Sequence, residues 1–187
     1  MSVISDIRKT LHAARGPWFA KDHTGSGFYA IYLKANADLP FIGLPEDRLL
    51  YIGMTQSGFS ERDHFEPKRG HSGGCTLRRS LGAILKYRLN LSARRRSAGA
   101  SQTAYTHYRF DPRGEQTLSE WMQGALYLAR VPFGENVDLA EARLIRAFTP
   151  PLNLTGWANP QAELIKRFRR ECMNEARHWS DRATQAA

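Results

Sequence analysis

Tyr29 closes the string Gly27-Phe28-Tyr29, and Tyr51 opens Tyr51-Ile52-Gly53. Arg62 follows in Ser60-Glu61-Arg62-Asp63-His64-Phe65, while Glu141 and Asn153 come much later. These side chains, in this order, form a kit for cutting a phosphodiester. That bond resists attack because its charge repels nucleophiles and its leaving alkoxide is poor. Hydrolysis needs an activated water, neutralised charge and an assisted leaving oxygen. A phenol whose pKa is brought down from about 10 can take the water's proton. A guanidinium forks onto two phosphate oxygens and keeps its charge. A single carboxylate can hold Mg2+ with waters and a substrate phosphate completing the shell.

Each residue also has an ordinary structural use. Tyrosine is a favoured strand residue and packs in cores. Arg62 can pair with Glu61 or Asp63 on the surface, and His64 can carry a proton or sit at a rim. Glu141 stands three residues after Asp138, the spacing of a capping box. Asn153 can hold a turn, bond a phosphate or orient the cleft. Gly27 and Gly53 flank the tyrosine strings and let backbone or ligand approach closely.

The elements that would position these residues are readable in outline. Gly27 to Leu33 and Leu49 to Gly53 read as two strands of a hairpin, joined by a polar connection over Asn36 to Asp47. One sheet could then aim both phenols into one cleft. Ser5 to Ala14 reads as an amphipathic helix ended by Gly16-Pro17. Thr76 to Leu89 reads as a helix capped by Thr76, with Leu77, Leu81, Ile84, Leu85 and Leu89 as its apolar stripe. Ser92 to Ser101 reads as a basic, mobile loop and Thr103 to Phe110 as a strand. Thr117 with Glu120 predicts a capping box opening a short helix through Met122. Ala125 to Val131 reads as a further strand. Asp138 is expected to cap a helix running to Phe148, ahead of Pro150-Pro151. A last helix is expected from Pro160 to Trp179. The fold class is α+β: a small central mixed or antiparallel sheet flanked by helices, with extra helices at both ends. The 187 residues suggest one domain, with an N-terminal helix over 1–16, a core over 25–155 and a C-terminal helix over 160–180.

The tyrosine strings, Arg62, Glu141 and the Pro151-Leu152-Asn153-Leu154 string together resemble the GIY-YIG nuclease family across Gly27 to Leu154. The resemblance implies a compact nuclease fold with Tyr29 as general base and Tyr51 supporting the water and phosphate network. It implies Arg62 on the scissile phosphate, Glu141 as the single metal ligand for Mg2+ (Mn2+ as substitute), and Asn153 as the C-terminal polar member of the site. There are departures. Phe28 stands where isoleucine is usual, and the connection from Tyr29 to Tyr51 is longer than usual. Family members commonly place a His or Tyr one helical turn after the arginine. Here that position is Glu66, and His64 lies only two residues on. The string Cys75 to Gly82 is similar to a bacterial subgroup that also carries an arginine pair.

The charge balance suits a polyanionic partner. The net charge is +9 and the pI about 9.9. From Pro67 to Phe110 there is no Asp or Glu, against Lys68, Arg69, Arg78, Arg79, Lys86, Arg88, Arg94, Arg95, Arg96 and Arg109. That stretch reads either as a solvated basic face or as a phosphate-binding surface. Arg78 and Arg79 at a helix N-terminus would make a phosphate seat. The expected partner is DNA, duplex first, cut by a restriction-like or defence enzyme acting on both strands as a homodimer. A non-catalytic nucleic-acid-binding module on the same scaffold is the alternative, and a protein-interaction domain with an incidental basic patch is a third reading. No apolar run is long enough to span a membrane, and no signal peptide is apparent. Cys75 and Cys172 read as reduced thiols, so the expected location is cytoplasmic. His64, His71 and Cys75 lack a fourth ligand at zinc spacing.

Overall fold

A computed structural model describes residues 3–18, 25–56, 58–59, 64–65, 71–98, 101–133 and 137–179. At its centre are three antiparallel strands, β1 (Gly27–Leu33), β2 (Leu49–Thr55) and, later in the chain, β5 (Leu126–Pro132), in the order β2-β1-β5. Every residue of β1 is buried. A middle strand covered on both faces has no polar side, and the string GFYAIYL accordingly shows none.

The two faces carry separate apolar clusters. Phe28, Ala30 and Tyr32 join Leu49, Ile52 and Ala129 against Leu11 of α1 (Val3–Ala13) and Leu144, Ile145 and Phe148 of α5 (Val137–Phe148). Tyr29, Ile31 and Leu33 join Leu50 against α2 (Thr76–Ile84), α4 (Pro112–Ala125) and α6 (Ala162–His178). The pairing of β1 with β2 slips between Ile31 and Tyr32, opposite Tyr51 and Leu49. That bulge leaves Leu50 without an opposite number and sends it to the same cluster that Tyr51 joins. Both sheet edges are covered. Gly16 bridges to Leu128 on the β5 side, and the Leu152 N–H donates to the Leu50 carbonyl on the β2 side.

The expectations for β1, β2, β5, α1, α5 and α6 match the observed elements to within a few residues. Three others need correction. Thr103 to Phe110 is a short helix, α3 (Gln102–Thr106), followed by the two-residue strand β4 (Arg109–Phe110), which pairs with β3 (Ala93–Arg94) inside the expected basic loop. Ser101 caps α3 by accepting from the Ala104 N–H, and that local bond defeats the strand-like alternation of Tyr105, Tyr108 and Phe110. Thr117 and Glu120 open no helix. They lie inside α4, which Asp111 caps and Pro112 starts. Finally, α2 is capped by Cys75 rather than Thr76 and ends at Ile84, with turns continuing to Asn90, which has a φ of 50°.

Candidate active site

The register of β1 and β2 sets the two tyrosines. Tyr29 lies opposite Gly53, and Tyr51 opposite Ile31, so both phenols serve the face of the sheet that looks toward α2 and α6. Their rings are 6.2 Å apart between centroids. Gly53 gives Tyr29 its place: a Cβ there would fall onto the Tyr29 hydroxyl and Cζ. Gly27, at φ 150°, has the Val131 carbonyl where a side chain would stand.

His64 completes a cluster with these rings. Its Nε2 lies 2.8 Å from the Tyr29 hydroxyl and its Nδ1 2.9 Å from Cys75 Sγ. The ring centroids of His64 are 5.2 Å from Tyr29 and 6.4 Å from Tyr51. Burial raises the Cys75 thiol's pKa, against the opposing Arg78 N–H bond and nearby arginine charge, so the sulfur stays protonated. Two tautomers satisfy the chain of contacts. In one the His64 Nδ1–H faces sulfur and Nε2 accepts the Tyr29 hydroxyl proton. In the other the thiol donates to Nδ1 and the Nε2–H faces the phenol oxygen. Next door, Phe65 is buried and stacks on Trp18 at 6.0 Å, anchoring the segment.

Arg78 holds His64 from behind, and here the structure corrects the expected surface role. Arg78 is fully buried. Its Nη1 donates to the His64 carbonyl at 2.9 Å and to Ser119 Oγ at 2.8 Å. Its Nη2 donates to Glu115 Oε2 at 2.7 Å and to the Glu115 carbonyl. Glu115 in turn accepts from the Ser72 N–H, the Ser72 hydroxyl and the Phe110 N–H. A buried charge needs partners, and both Nη groups of Arg78 find them, while its Nε–H is left without one. Arg79 is also buried, donating to the carbonyls of Ser72 and Gly73 and to the Thr76 hydroxyl. The expected phosphate seat at the start of α2 is therefore spent on the fold.

Three further cations of the acid-free stretch find carboxylates elsewhere in the chain. Lys86 pairs with Glu175 at 3.0 Å, Arg88 with Asp38 at 3.6 Å and Arg94 with Asp111 at 3.6 Å. Arg94 also lies over Trp179, and Arg95 donates to the Arg177 carbonyl. Arg96 and Arg109 are exposed. Lys68 and Arg69 lie outside the described residues, as does Arg62.

Asn153 is buried, and its amide is spent on β2. Oδ1 accepts from the Ile52 N–H at 2.9 Å and Nδ2 donates to the Ile52 carbonyl at 2.8 Å. It acts as one rung of a missing fourth strand beside Tyr51. Glu141 is half-buried on α5, one turn before Leu144 and Ile145 and on the same stripe. That helix packs against β2 on the layer opposite the tyrosine cluster. The structure thus brings Tyr29, Tyr51 and His64 together, sets Asn153 behind β2, and carries Glu141 on α5, the helix packed on the other face of the sheet. Among the described residues, no group of three His, Cys, Asp or Glu side chains could cage a metal. Glu141 as a lone carboxylate fits an ion such as Mg2+ that keeps most of its shell as water and phosphate.

A cleft of about 680 Å3 opens from Tyr51 and Asn153 toward Tyr108 and the face of α6 that bears Arg169. Sequence reasoning passed over Cys75 as a support of His64, although its position as cap of α2 is local information. It also passed over α6 as a wall of this cleft.

Residues 27–177 match the family model described as the GIY-YIG catalytic domain. The chain belongs to the GIY-YIG family. Members of this family are endonucleases that hydrolyse phosphodiesters and generally depend on a divalent metal, so the substrate is a nucleic acid. No curated protein and no solved structure matches the chain. Among the described residues, no helix is long and apolar enough to cross a membrane.

Proposed function

We propose that this GIY-YIG protein is a metal-dependent DNA endonuclease in which Tyr29 is the general base and His64 its proton acceptor. The observation that carries this reading is the 2.8 Å contact between the Tyr29 hydroxyl and His64 Nε2. Tyr29 is 4% exposed, so a proton taken from the attacking water passes inward to His64 rather than out to solvent. This path uses the tautomer whose Nδ1–H faces Cys75 Sγ. Arg78 fixes His64 through its carbonyl, and the Gly53 gap fixes the phenol. Tyr51, reaching the cleft, orients water and phosphate. Arg62 neutralises charge developing on the scissile phosphate. Glu141 would hold the metal, and Mg2+ bound there would supply positive charge to offset that developing on the phosphate and the leaving group. Asn153 acts through the backbone of β2, keeping Tyr51 in register. On this reading duplex DNA is the substrate, and the role is restriction-like or defensive, with a homodimer cutting both strands. Both described cysteines are buried free thiols, in keeping with work in the cytoplasm.

Cleavage of supercoiled plasmid in Mg2+, with EDTA and Glu141→Ala as controls, tests the reading. Nicking or linearisation in Mg2+, lost in both controls while the variant still binds DNA, is expected. Undiminished cutting by Glu141→Ala removes Glu141 from the site. Binding without cutting by clean wild-type protein in Mg2+ and Mn2+ turns the reading to a binding module.

A further inference from the structure

The positive face of α6 is not accounted for by the chemistry above. Lys166, Arg169 and Arg170 fall at i, i+3 and i+4, so they share one side of the helix, and all three line the cleft that begins at Tyr51 and Asn153. No Asp or Glu is among the residues lining it. Lys166 and Arg170 share Glu163, at 2.8 and 4.0 Å, in exposed pairs that hold weakly against a competing anion. Arg169 is half-buried and makes no hydrogen bond or ion pair among the described residues.

A second observation points to the same place. The charges of Arg79, Arg96 and Arg169 all act on His107, which follows Thr106 of the cleft wall. Burial first, then the charge of Arg169, weakens the hold of Arg79 on its proton. Burial first, then Arg79, Arg96 and Arg169, lowers the pKa of His107. The like charges of Lys166, Arg169 and Arg170 around one cavity repel each other until an anion enters it. Thr76 adds a neutral hydroxyl donor to the wall, while the Thr106 hydroxyl is spent on the Gln102 carbonyl.

Resting on the nuclease reading, we infer that this cleft seats the sugar–phosphate backbone of the substrate strand beside the bond being cut, with Arg169 and Arg170 as its phosphate ligands. The ligand is a phosphodiester chain because the cleft is continuous with Tyr51. An anion held there is the next phosphate along the strand that reaches the tyrosines.

The test uses the full chain and a fluorescent mixed-sequence DNA duplex in EDTA, with affinity read across a salt series. Arg169→Ala/Arg170→Ala is compared with Arg143→Ala/Arg146→Ala, which removes two exposed charges from α5 on the far layer. The cleft variant is expected to bind about tenfold more weakly or worse, with the slope of log affinity on log salt reduced by about 2. The α5 variant should keep the wild-type slope. In Mg2+ the cleft variant should raise KM with kcat retained, because the lost contacts hold the strand before and during reaction alike. A cleft variant that matches the α5 variant in slope and KM while wild type cuts overturns the seat and leaves the nuclease reading standing. Wild type that shows the cleft-dependent slope yet never cuts sinks the nuclease reading and keeps the seat. Should the double variant fail to fold by circular dichroism, Arg169→Gln is read in the same assay, with a slope reduced by about 1 expected.

Discussion

The Tyr29 phenol is set by what is missing opposite it. Gly53 has no side chain, and the ring lies in that gap, aimed at His64. Gly53→Ala would push a methyl into the ring and break the 2.8 Å contact with His64. Cutting is expected to fall by about 100-fold or more, the scale of a displaced general base, while DNA binding stays near wild type. Cleavage kinetics and affinity of the same preparation check it, and unchanged cutting would show that the Tyr29 position does not matter. His64 is held by two neighbours that carry no chemistry themselves, Cys75 on its ring and Arg78 on its carbonyl. The tyrosines could be found in the sequence because strand residues beside glycines are local features. The burial of Arg78 could not. Its partner Glu115 is 37 residues away, and only tertiary packing joins them.

Among the elements, β2 is the one on which the site hangs. It is an edge strand, yet its outer side is occupied by the segment after α5: Leu152 bonds Leu50, and Asn153 bonds both backbone groups of Ile52. Asn153→Ala leaves a buried N–H and a buried carbonyl unpaired, a loss of about 2–4 kcal/mol. Asn153→Asp should be at least as damaging despite its matching shape, because a carboxylate would face the Ile52 carbonyl. Denaturant unfolding of both variants checks this. An Asp variant as stable as wild type would mean that the amide is not clamping the strand. The strands of the central sheet and the long helices were readable because their patterns are strong and their ends carry Gly, Pro or caps. The region from Ser92 to Met122 was misread because short-range signals compete there. Thr117 and Glu120 mimic a helix start, while the working start is Asp111-Pro112, a pattern equally visible in the chain. The end of α2 at Ile84 follows a turn through Asn90 that apolar periodicity does not report.

Across the whole molecule, the tyrosine cluster and the basic face of α6 share one side of the sheet. The stretch from Pro67 to Phe110 looked like one basic surface because it has no acid of its own. Folding distributes it: Arg78 and Arg79 go to the interior, and Lys86, Arg88 and Arg94 to ion pairs with distant carboxylates. Arg96 and Arg109 stay exposed, and a separate set of cations, Lys166, Arg169 and Arg170, lines the cleft between β2 and α6 next to the tyrosine cluster. A catalytic step at Tyr29 and a strand held along α6 are therefore expected to be separable, one read in kcat and the other in affinity. The most direct test of the account is Tyr29→Phe, which removes one oxygen and leaves the ring in its gap. With Mg2+ and saturating duplex DNA, cutting is expected to fall by about 100- to 10,000-fold, the range of a lost general base, with binding in EDTA unchanged. A Tyr29→Phe protein that cuts at the wild-type rate would contradict the account, since the phenol oxygen would then take no part in the chemistry.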